Sequence, residues 1–208
     1  MRDLKFTGPL PGVEKKKSRD GVPRALATQR RFCRFARAKE EYVGNPVYTI
    51  DIPQGGMCLS SFLVITEGDS DRVLMGHLNP RAAWDEIGAL DAEHAEVHSK
   101  RWMLPSSHLM LYESPQDAAG RILREQLGME GLDLTGPSVI AETGTPKRFP
   151  DLPKHWDFEF IFRGRMAEGE APKNEAWSDL RFIDLPRIGR DGIARSHDEV
   201  LENAGLRF

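Results

Sequence analysis

The sequence is poor in cysteine and contains no long apolar run. Its 208 residues include only Cys33 and Cys58, too few for a disulfide framework or a four-cysteine zinc site. The longest apolar stretches, such as CLSSFLVI, are far shorter than the roughly 20 residues that span a bilayer. The first residues also lack the apolar core of a signal peptide. We therefore expect a soluble, cytoplasmic protein without a membrane partner.

Positive charge is unevenly distributed along the chain. Residues 15–39 hold ten Lys or Arg and one acid, Asp20, a net charge of +9 in a chain whose net charge is −3. Such a segment predicts contact with phosphate or nucleic acid. The alternative is a solvated amphipathic helix that docks through its apolar side chains, namely Leu26, Phe32, Phe35 and Tyr42. Residues 1–46 are thus predicted to be a basic extension that contains a helix.

Hydrophobic patterns predict alternating strands and helices in the rest of the chain. The predicted strands are VYTIDI, CLSSFLVITEG, RVLMGHL, SVIAETG, WDFEFIFRGRM and DLRFIDL. The predicted helices are residues 80–100, ESPQDAAGRILREQLGMEG and SHDEVLENAG. Strands, one strong central helix, more strands and a closing helix predict a mixed sheet between helices.

The central helix has well-defined ends and two faces. Ser114 is a suitable N-cap, Pro115 suits the first helical position, and Gly128 suits a left-handed C-terminal stop. One face is predicted to pack on the core, and its members are Ala119, Leu123 and Leu127. The adjacent face carries Arg121, Ile122, Glu125 and Gln126. The spacing of the last three predicts that they lie together, as three groups offered to one ion would.

The segment that contains this helix resembles the Nudix box. The box pattern is Gly, five residues, Glu, seven residues, then Arg-Glu-apolar-x-Glu-Glu-x-Gly-apolar, and residues 107–129 match its spacing without a gap. The resemblance extends to RWMLPSSHLMLYESP before the helix and to HWDFEFIFRGRM and NEAWSDLRFIDLPRI after it. It implies a Nudix-like α/β/α sandwich in residues 47–208. It also implies hydrolysis of a nucleoside diphosphate linked to another group, usually with Mg²⁺.

The chain departs from this pattern at the residues that would bind the ion. Ile122 and Gln126 stand where the family has two of its three metal carboxylates, and Ser106, Ser107 and Tyr112 replace glycines. Magnesium prefers oxygen ligands, commonly carboxylates. A site for Mg²⁺ or Mn²⁺ would therefore be depleted, with the Glu125 carboxylate and the Gln126 amide oxygen as its ligands.

The resemblance also assigns roles to the remaining polar residues. Glu125, Glu113 and Arg121 are the catalytic candidates, the last two as orienting partners.

In TPKRFP, Lys147 and Arg148 either bind a substrate phosphate or are ordinary charged residues of a loop. A rival metal pair, His94 and His98, has the i, i+4 spacing of two ligands on one helical face, although no third ligand has a recognisable spacing.

Two functional hypotheses follow. In the first, the chain is a divergent Nudix-type pyrophosphohydrolase whose metal site is completed by other acids, chosen among Glu142, Glu159, Glu168, Glu170 and Glu175. In the second, it is a catalytically inactive Nudix-fold module that binds or regulates a nucleotide, RNA or protein partner. The expected partners are a small nucleotide-type substrate and, through residues 15–39, a phosphate group or nucleic acid. A homodimer is considered as well.

Overall fold

The apolar run near residue 60 forms the central strand of a mixed sheet. A computed structural model describes residues 34–35, 57–144, 155–169 and 171–208. The strands are β1 (Arg34–Phe35), β2 (Met57–Glu67), β3 (Val73–Leu78), β4 (Ser106–His108), β5 (Leu134–Gly144), β6 (His155–Met166) and β7 (Trp177–Ile183). The helices are α1 (Trp84–Ile87), α2 (Ala92–His98), α3 (Pro115–Leu127), α4 (Leu185–Ile188) and α5 (His197–Asn203), with a 3₁₀ turn at Arg190–Gly192.

The order of the strands places β2 at the centre of the sheet. The main path is β5-β6-β2-β3-β7, and β1 and β4 also pair with β2. β2 runs parallel to β6 along its whole length, whereas its other pairings are antiparallel. Because β2 has neighbours on both sides, it is a buried strand, which explains its continuous apolar run.

Each face of the sheet is covered by a helix. On one face, the α3 face, Ile122, Leu123 and Leu127 pack against Leu63 and Phe162 and their apolar neighbours. On the opposite face, the α5 face, the packed side chains are Val200 and Leu201 of α5 with Phe62, Val64 and Ile161 of the sheet. Alternate residues of β2 and β6 point to opposite faces, so the two clusters divide each strand between them. The predicted mixed sheet between helices is confirmed.

Residues 80–100 do not form the single helix that their composition predicts. The chain forms two short helices, α1 and α2, separated by a turn. Gly88 ends α1, and a Cβ there would lie 2.5 Å from a ring carbon of Trp84, so close packing requires glycine. Asp91 then caps α2, since its side chain accepts a hydrogen bond from the His94 N–H at 2.9 Å. None of the helices in the described ranges is long and apolar enough to cross a membrane.

Two residues of the basic segment are extended rather than helical. Arg34 and Phe35 form β1, which pairs antiparallel with Cys58 and Met57 of β2. The helix predicted through Phe35 is therefore wrong at these positions, because backbone pairing with β2 overrides the local helical pattern. The chain divides into units 1–30 and 31–208. The first unit, the rest of the basic segment and the strand predicted at VYTIDI lie outside the described residues, and the boundary at 46/47 stays a prediction.

Candidate functional site

Helix α3 begins and ends where its sequence predicts. The Ser114 side chain accepts a hydrogen bond from the Asp117 N–H at 3.1 Å, and its hydroxyl donates to the Asp117 carboxylate at 2.7 Å. Pro115 occupies the first turn, and Gly128 ends the helix in the left-handed conformation with φ of 64°. The ends of this helix are thus fixed by its own local sequence.

Arg121 and Glu113 form a buried ion pair beneath the loop that precedes α3. Their side chains are 4% and 8% exposed, and two parallel bonds join them: Nε to Oε1 at 2.7 Å and Nη2 to Oε2 at 2.9 Å. Arg121 also donates to the carbonyl oxygen of His108 at 2.9 Å. The Met110 N–H donates to Glu113 at 2.7 Å. Bidentate geometry and additional hydrogen bonds are what a buried pair needs to offset the cost of desolvation.

Glu125 is the most accessible of the predicted catalytic residues. Its side chain is 22% exposed, and its Oε2 lies 3.7 Å from Nη1 of Arg121, one turn earlier on α3. The structure therefore brings the three catalytic candidates together, with Arg121 between Glu113 and Glu125. Their roles in chemistry stay predictions.

Gln126 is completely buried, and its amide makes three hydrogen bonds to the backbone. Its Oε1 accepts from the Ser106 N–H at 3.1 Å, and its Nε2 donates to the carbonyl oxygens of Ser106 and Ile87 at 2.8 and 2.9 Å. It has no exposed surface. Because its amide is buried and bonded to the backbone, Gln126 does not fit the role of metal ligand that the resemblance assigned to it.

Ile122 lies in the core rather than beside an ion site. It is completely buried on the α3 face, among Leu63, Ile65 and Phe162. The prediction that positions 122, 125 and 126 present three groups together is therefore wrong. Helical spacing places them on one side of α3, but that side is broad enough for Ile122 to meet the sheet while Glu125 reaches partly exposed space.

The residues of α3 do not fit a divalent ion. One of the three family positions is apolar and in the core, one is a buried amide, and Glu125 is close to the cation of Arg121. Within the described ranges, no group of three His, Cys, Asp or Glu side chains is arranged to hold a metal. The rival pair of His94 and His98 is not completed by a third ligand among the described residues, and the His94 ring contacts Asp91 at the start of α2 at 2.8 Å.

Two of the acids that were considered as replacements for the lost ligands lie on the opposite face of the sheet, whereas Glu168 and Glu175 are exposed between β6 and β7. Glu142 and Glu159 belong to β5 and β6 and point to the α5 face, on the other side of the sheet from Glu125. Glu170 lies outside the described residues, as do the predicted phosphate-binding residues Lys147 and Arg148. Completion of an ion site around Glu125 by Glu142 or Glu159 is excluded, because the sheet separates them.

The carboxyl groups of the α5 face form a cluster that sequence reasoning did not find. Its members are Glu142, Asp157, Glu159 and Glu199, from β5, β6 and α5, with Arg195 nearby. Burial, followed by the charges of Asp157, Glu142 and Glu199, raises the pKa of Glu159 to about 7. Burial and the neighbouring Glu199 also raise the pKa of Glu142. The only sequence signal was the alternation of acids with apolar residues in WDFEFIF.

His197 is a second buried polar residue without a sequence signal. Its Nδ1 accepts a hydrogen bond from the Leu104 N–H at 2.9 Å, and its ring meets that of Phe62 edge to face. Burial, and then the charges of Arg195 and His98, lower the pKa of His197 well below its ordinary value. Only a neutral imidazole can accept this bond at Nδ1. The bond joins α5 to the segment before β4.

Comparisons with known proteins establish the fold. No family model matches the sequence, and no curated protein matches it either. Among the solved structures that resemble it is the Escherichia coli dihydroneopterin triphosphate pyrophosphohydrolase, with 13% identity and a TM-score of 0.52 over 71% of this chain and 94% of that one. Another is the Nudix domain of Shewanella oneidensis NrtR in complex with ADP ribose, with 15% identity and a TM-score of 0.50 over 81% and 97%. The chain therefore has the Nudix fold, as the resemblance of residues 107–129 implied.

Proposed function

We propose that this chain is a Nudix-fold module that binds a nucleotide-type compound with a diphosphate linkage, without metal-dependent hydrolysis through α3. The observation that carries the proposal is the state of α3, whose family metal positions 122 and 126 are buried in contacts with protein. The fold shared with a Nudix domain that was solved in complex with ADP ribose supports this ligand class. In ADP ribose, a diphosphate joins two ribose units.

Hydrolysis of a diphosphate demands more than a binding surface. A metal ion must neutralise the phosphate oxygens, and a general base must prepare water for in-line attack. Of the three family metal positions on α3, only Glu125 offers a partly exposed carboxylate, and it lies close to Arg121. One carboxylate beside a guanidinium attracts a divalent ion far more weakly than the three carboxylates of the family pattern.

One observation still supports the hydrolase hypothesis. Glu125 remains partly exposed beside Arg121 and Glu113, and the fold is shared with a pyrophosphohydrolase. In that case Mg²⁺ or Mn²⁺ would be held by Glu125 and by acids outside the described residues. Replacement of Glu125 by Gln distinguishes the two hypotheses, because only the hydrolase depends on this charge.

The test measures binding and turnover on the same samples. Melting temperatures of the wild type and Glu125→Gln are recorded with ADP ribose, other diphosphate-linked nucleotides and inorganic phosphate, with Mg²⁺, Mn²⁺ or chelator. A ligand at about 100 times its Kd stabilises by about 2.7 kcal/mol, or roughly 5–10 °C for a domain of this size. We expect one diphosphate compound to stabilise both proteins equally in chelator, with no product released. Ion-dependent product release that is lost in Glu125→Gln would establish the hydrolase instead, and no stabilisation by any compound would contradict both.

The basic segment is the basis of a separate proposal. Residues 15–39 carry a net charge of +9, which suits a phosphate-rich partner such as RNA. Affinity for a short RNA should then fall steeply as salt is raised, because each neutralised phosphate releases counterions. Replacing Arg30, Arg31 and Arg34 with Ala should reduce both the affinity and the salt dependence. Unchanged binding by this variant would contradict a role for the segment.

A further inference from the structure

Two backbone carbonyl oxygens from separate elements converge on one nitrogen of α3. The carbonyl oxygen of Ser106, at the start of β4, and that of Ile87, at the end of α1, lie 2.8 and 2.9 Å from Nε2 of Gln126. The Ser106 N–H lies 3.1 Å from Oε1. Only this orientation of the amide is consistent with its neighbours, because the opposite one would direct its oxygen at two carbonyl oxygens and its NH₂ at an N–H.

The NH₂ group therefore places the positive end of the Gln126 amide dipole next to the carbonyl oxygens of Ser106 and Ile87. Gln126 is completely buried, so its amide is not exposed to bulk solvent. The backbone around it is also held by protein: its own carbonyl oxygen accepts from Trp177 Nε1 at 2.8 Å, and the carbonyl of Glu125 accepts from Asn174 at 3.2 Å. These contacts join α3 to α1, β4 and the start of β7.

A carboxylate at position 126 would lack the NH₂ group that donates to these two carbonyl oxygens. One of its oxygens would keep the Ser106 N–H, but the other would face the carbonyl oxygens of Ser106 and Ile87 with no donor between them. Three converging oxygens without a proton are unfavourable in a buried site. They are also the type of ligand that a hard divalent ion prefers.

We propose that the amide NH₂ of Gln126 takes the place of a cation between the carbonyl oxygens of Ser106 and Ile87. The contact of α3 with α1 and β4 then forms without divalent ions. The single change Gln126→Glu then makes the stability of the chain dependent on a divalent ion. The proposal concerns the ion dependence of folding alone, and a failed search for a nucleotide ligand would leave it standing.

The experiment compares the wild type with Gln126→Glu and with Gln126→Met, a control of similar length that loses the hydrogen bonds without adding charge. Melting temperatures are measured in chelator, in Mg²⁺ and in Mn²⁺. The wild type should show no shift with ions. Both variants should melt roughly 10 °C lower in chelator, since buried hydrogen-bonding groups lose their partners. Only Gln126→Glu should recover when ions are added, because an ion that binds the folded state stabilises it by mass action.

Three results would overturn the proposal. The first is an ion-induced rise in the wild type, accompanied by binding of Mn²⁺ detected by its paramagnetic relaxation of water. The second is a loss in Gln126→Glu that matches Gln126→Met and does not respond to ions. The third is an unchanged melting temperature in Gln126→Glu. If that variant does not fold in chelator, its recovery on refolding with Mn²⁺ supports the proposal, and failure under both conditions counts against it.

Discussion

The α3 face and the α5 face of the sheet both bury ionisable side chains, but they compensate the charge in different ways. On the α3 face, the buried Arg121 and Glu113 neutralise each other through two parallel hydrogen bonds. On the α5 face, the carboxyl groups of Glu142, Asp157, Glu159 and Glu199 face one another with Arg195 nearby, and the pKa of Glu159 is raised to about 7. One face therefore holds a neutralised ion pair, whereas on the other burial and neighbouring acids raise the pKa of Glu159.

Because of this difference, the stability of the two faces should depend on pH in different ways. Removing one member of a buried, hydrogen-bonded ion pair leaves the other charge without its partner and destabilises the fold. Carboxyl groups that face one another are stabilised when one of them binds a proton. We therefore expect substitutions on the α3 face to change stability at every pH, and substitutions on the α5 face to change its dependence on pH.

Ile122→Glu should have the largest effect. It places a carboxylate in the dry core of the α3 face, where Ile122 has no exposed surface, and we expect a loss of about 4 kcal/mol or more, or failure to fold. Added Mg²⁺ or Mn²⁺ should not restore stability. Denaturant unfolding measures the loss, and Ile122→Val, expected to cost about 1 kcal/mol, is the control. A folded, ion-stabilised Ile122→Glu would mean that position 122 does face an ion site.

Arg121→Met should come next. It leaves the Glu113 carboxylate buried without its cation, which should cost about 3–5 kcal/mol. Arg124→Met is the matched control, because Arg124 is exposed on the same helix and its loss should change stability by roughly 0.5 kcal/mol or less. If both variants unfold at the same denaturant concentration, the buried pair does not stabilise the α3 face.

Glu159→Gln should change the pH dependence of stability. Because the pKa of Glu159 is raised from 4.5 to about 7, the folded state binds more protons than the unfolded state between these values. The stability contributed by this group is present below pH 4.5 and is lost as the pH rises to about 7. The variant should therefore be more stable than the wild type at pH 8, by on the order of 2 kcal/mol, and equal to it at pH 4.

Melting curves of both proteins from pH 4 to pH 8 check this prediction. Glu168→Gln, an exposed acid outside the cluster, is the control and should leave the curve unchanged. Parallel pH profiles of the wild type and Glu159→Gln would show that the carboxyl groups of the α5 face are ionised and compensated, and the contrast between the faces would then disappear.

Ser114→Ala should have the smallest effect. It removes the side-chain acceptor of the Asp117 N–H at the start of α3, which should cost about 1 kcal/mol. Gln116→Ala, at an exposed position in the same turn, should leave stability nearly unchanged or raise it slightly, since alanine is a better helix former. A larger loss in Gln116→Ala than in Ser114→Ala would contradict the capping role.

Local features of this protein follow from its amino-acid sequence alone. The ends of α3 follow from Ser114, Pro115 and Gly128, because capping depends on hydrogen bonds and backbone angles within a few residues. The strands β2, β3, β6 and β7 follow from apolar runs with turn residues between them. The spacing of residues 107–129 also pointed to the Nudix fold, which the structural comparisons confirm.

The contacts that the side chains of the site make depend instead on the packing of distant segments. Ile122 packs on the sheet and Gln126 bonds to Ser106 and Ile87, residues 20 and 39 positions away. Likewise, Glu159 meets Glu142 and Glu199 only because β5, β6 and α5 come together. A helical pattern gives the side of the helix on which a residue lies, but not what lies opposite. The partner, supplied by distant segments, decides whether a carboxylate, an amide or an isoleucine becomes a ligand, a hydrogen-bonding group or part of the core.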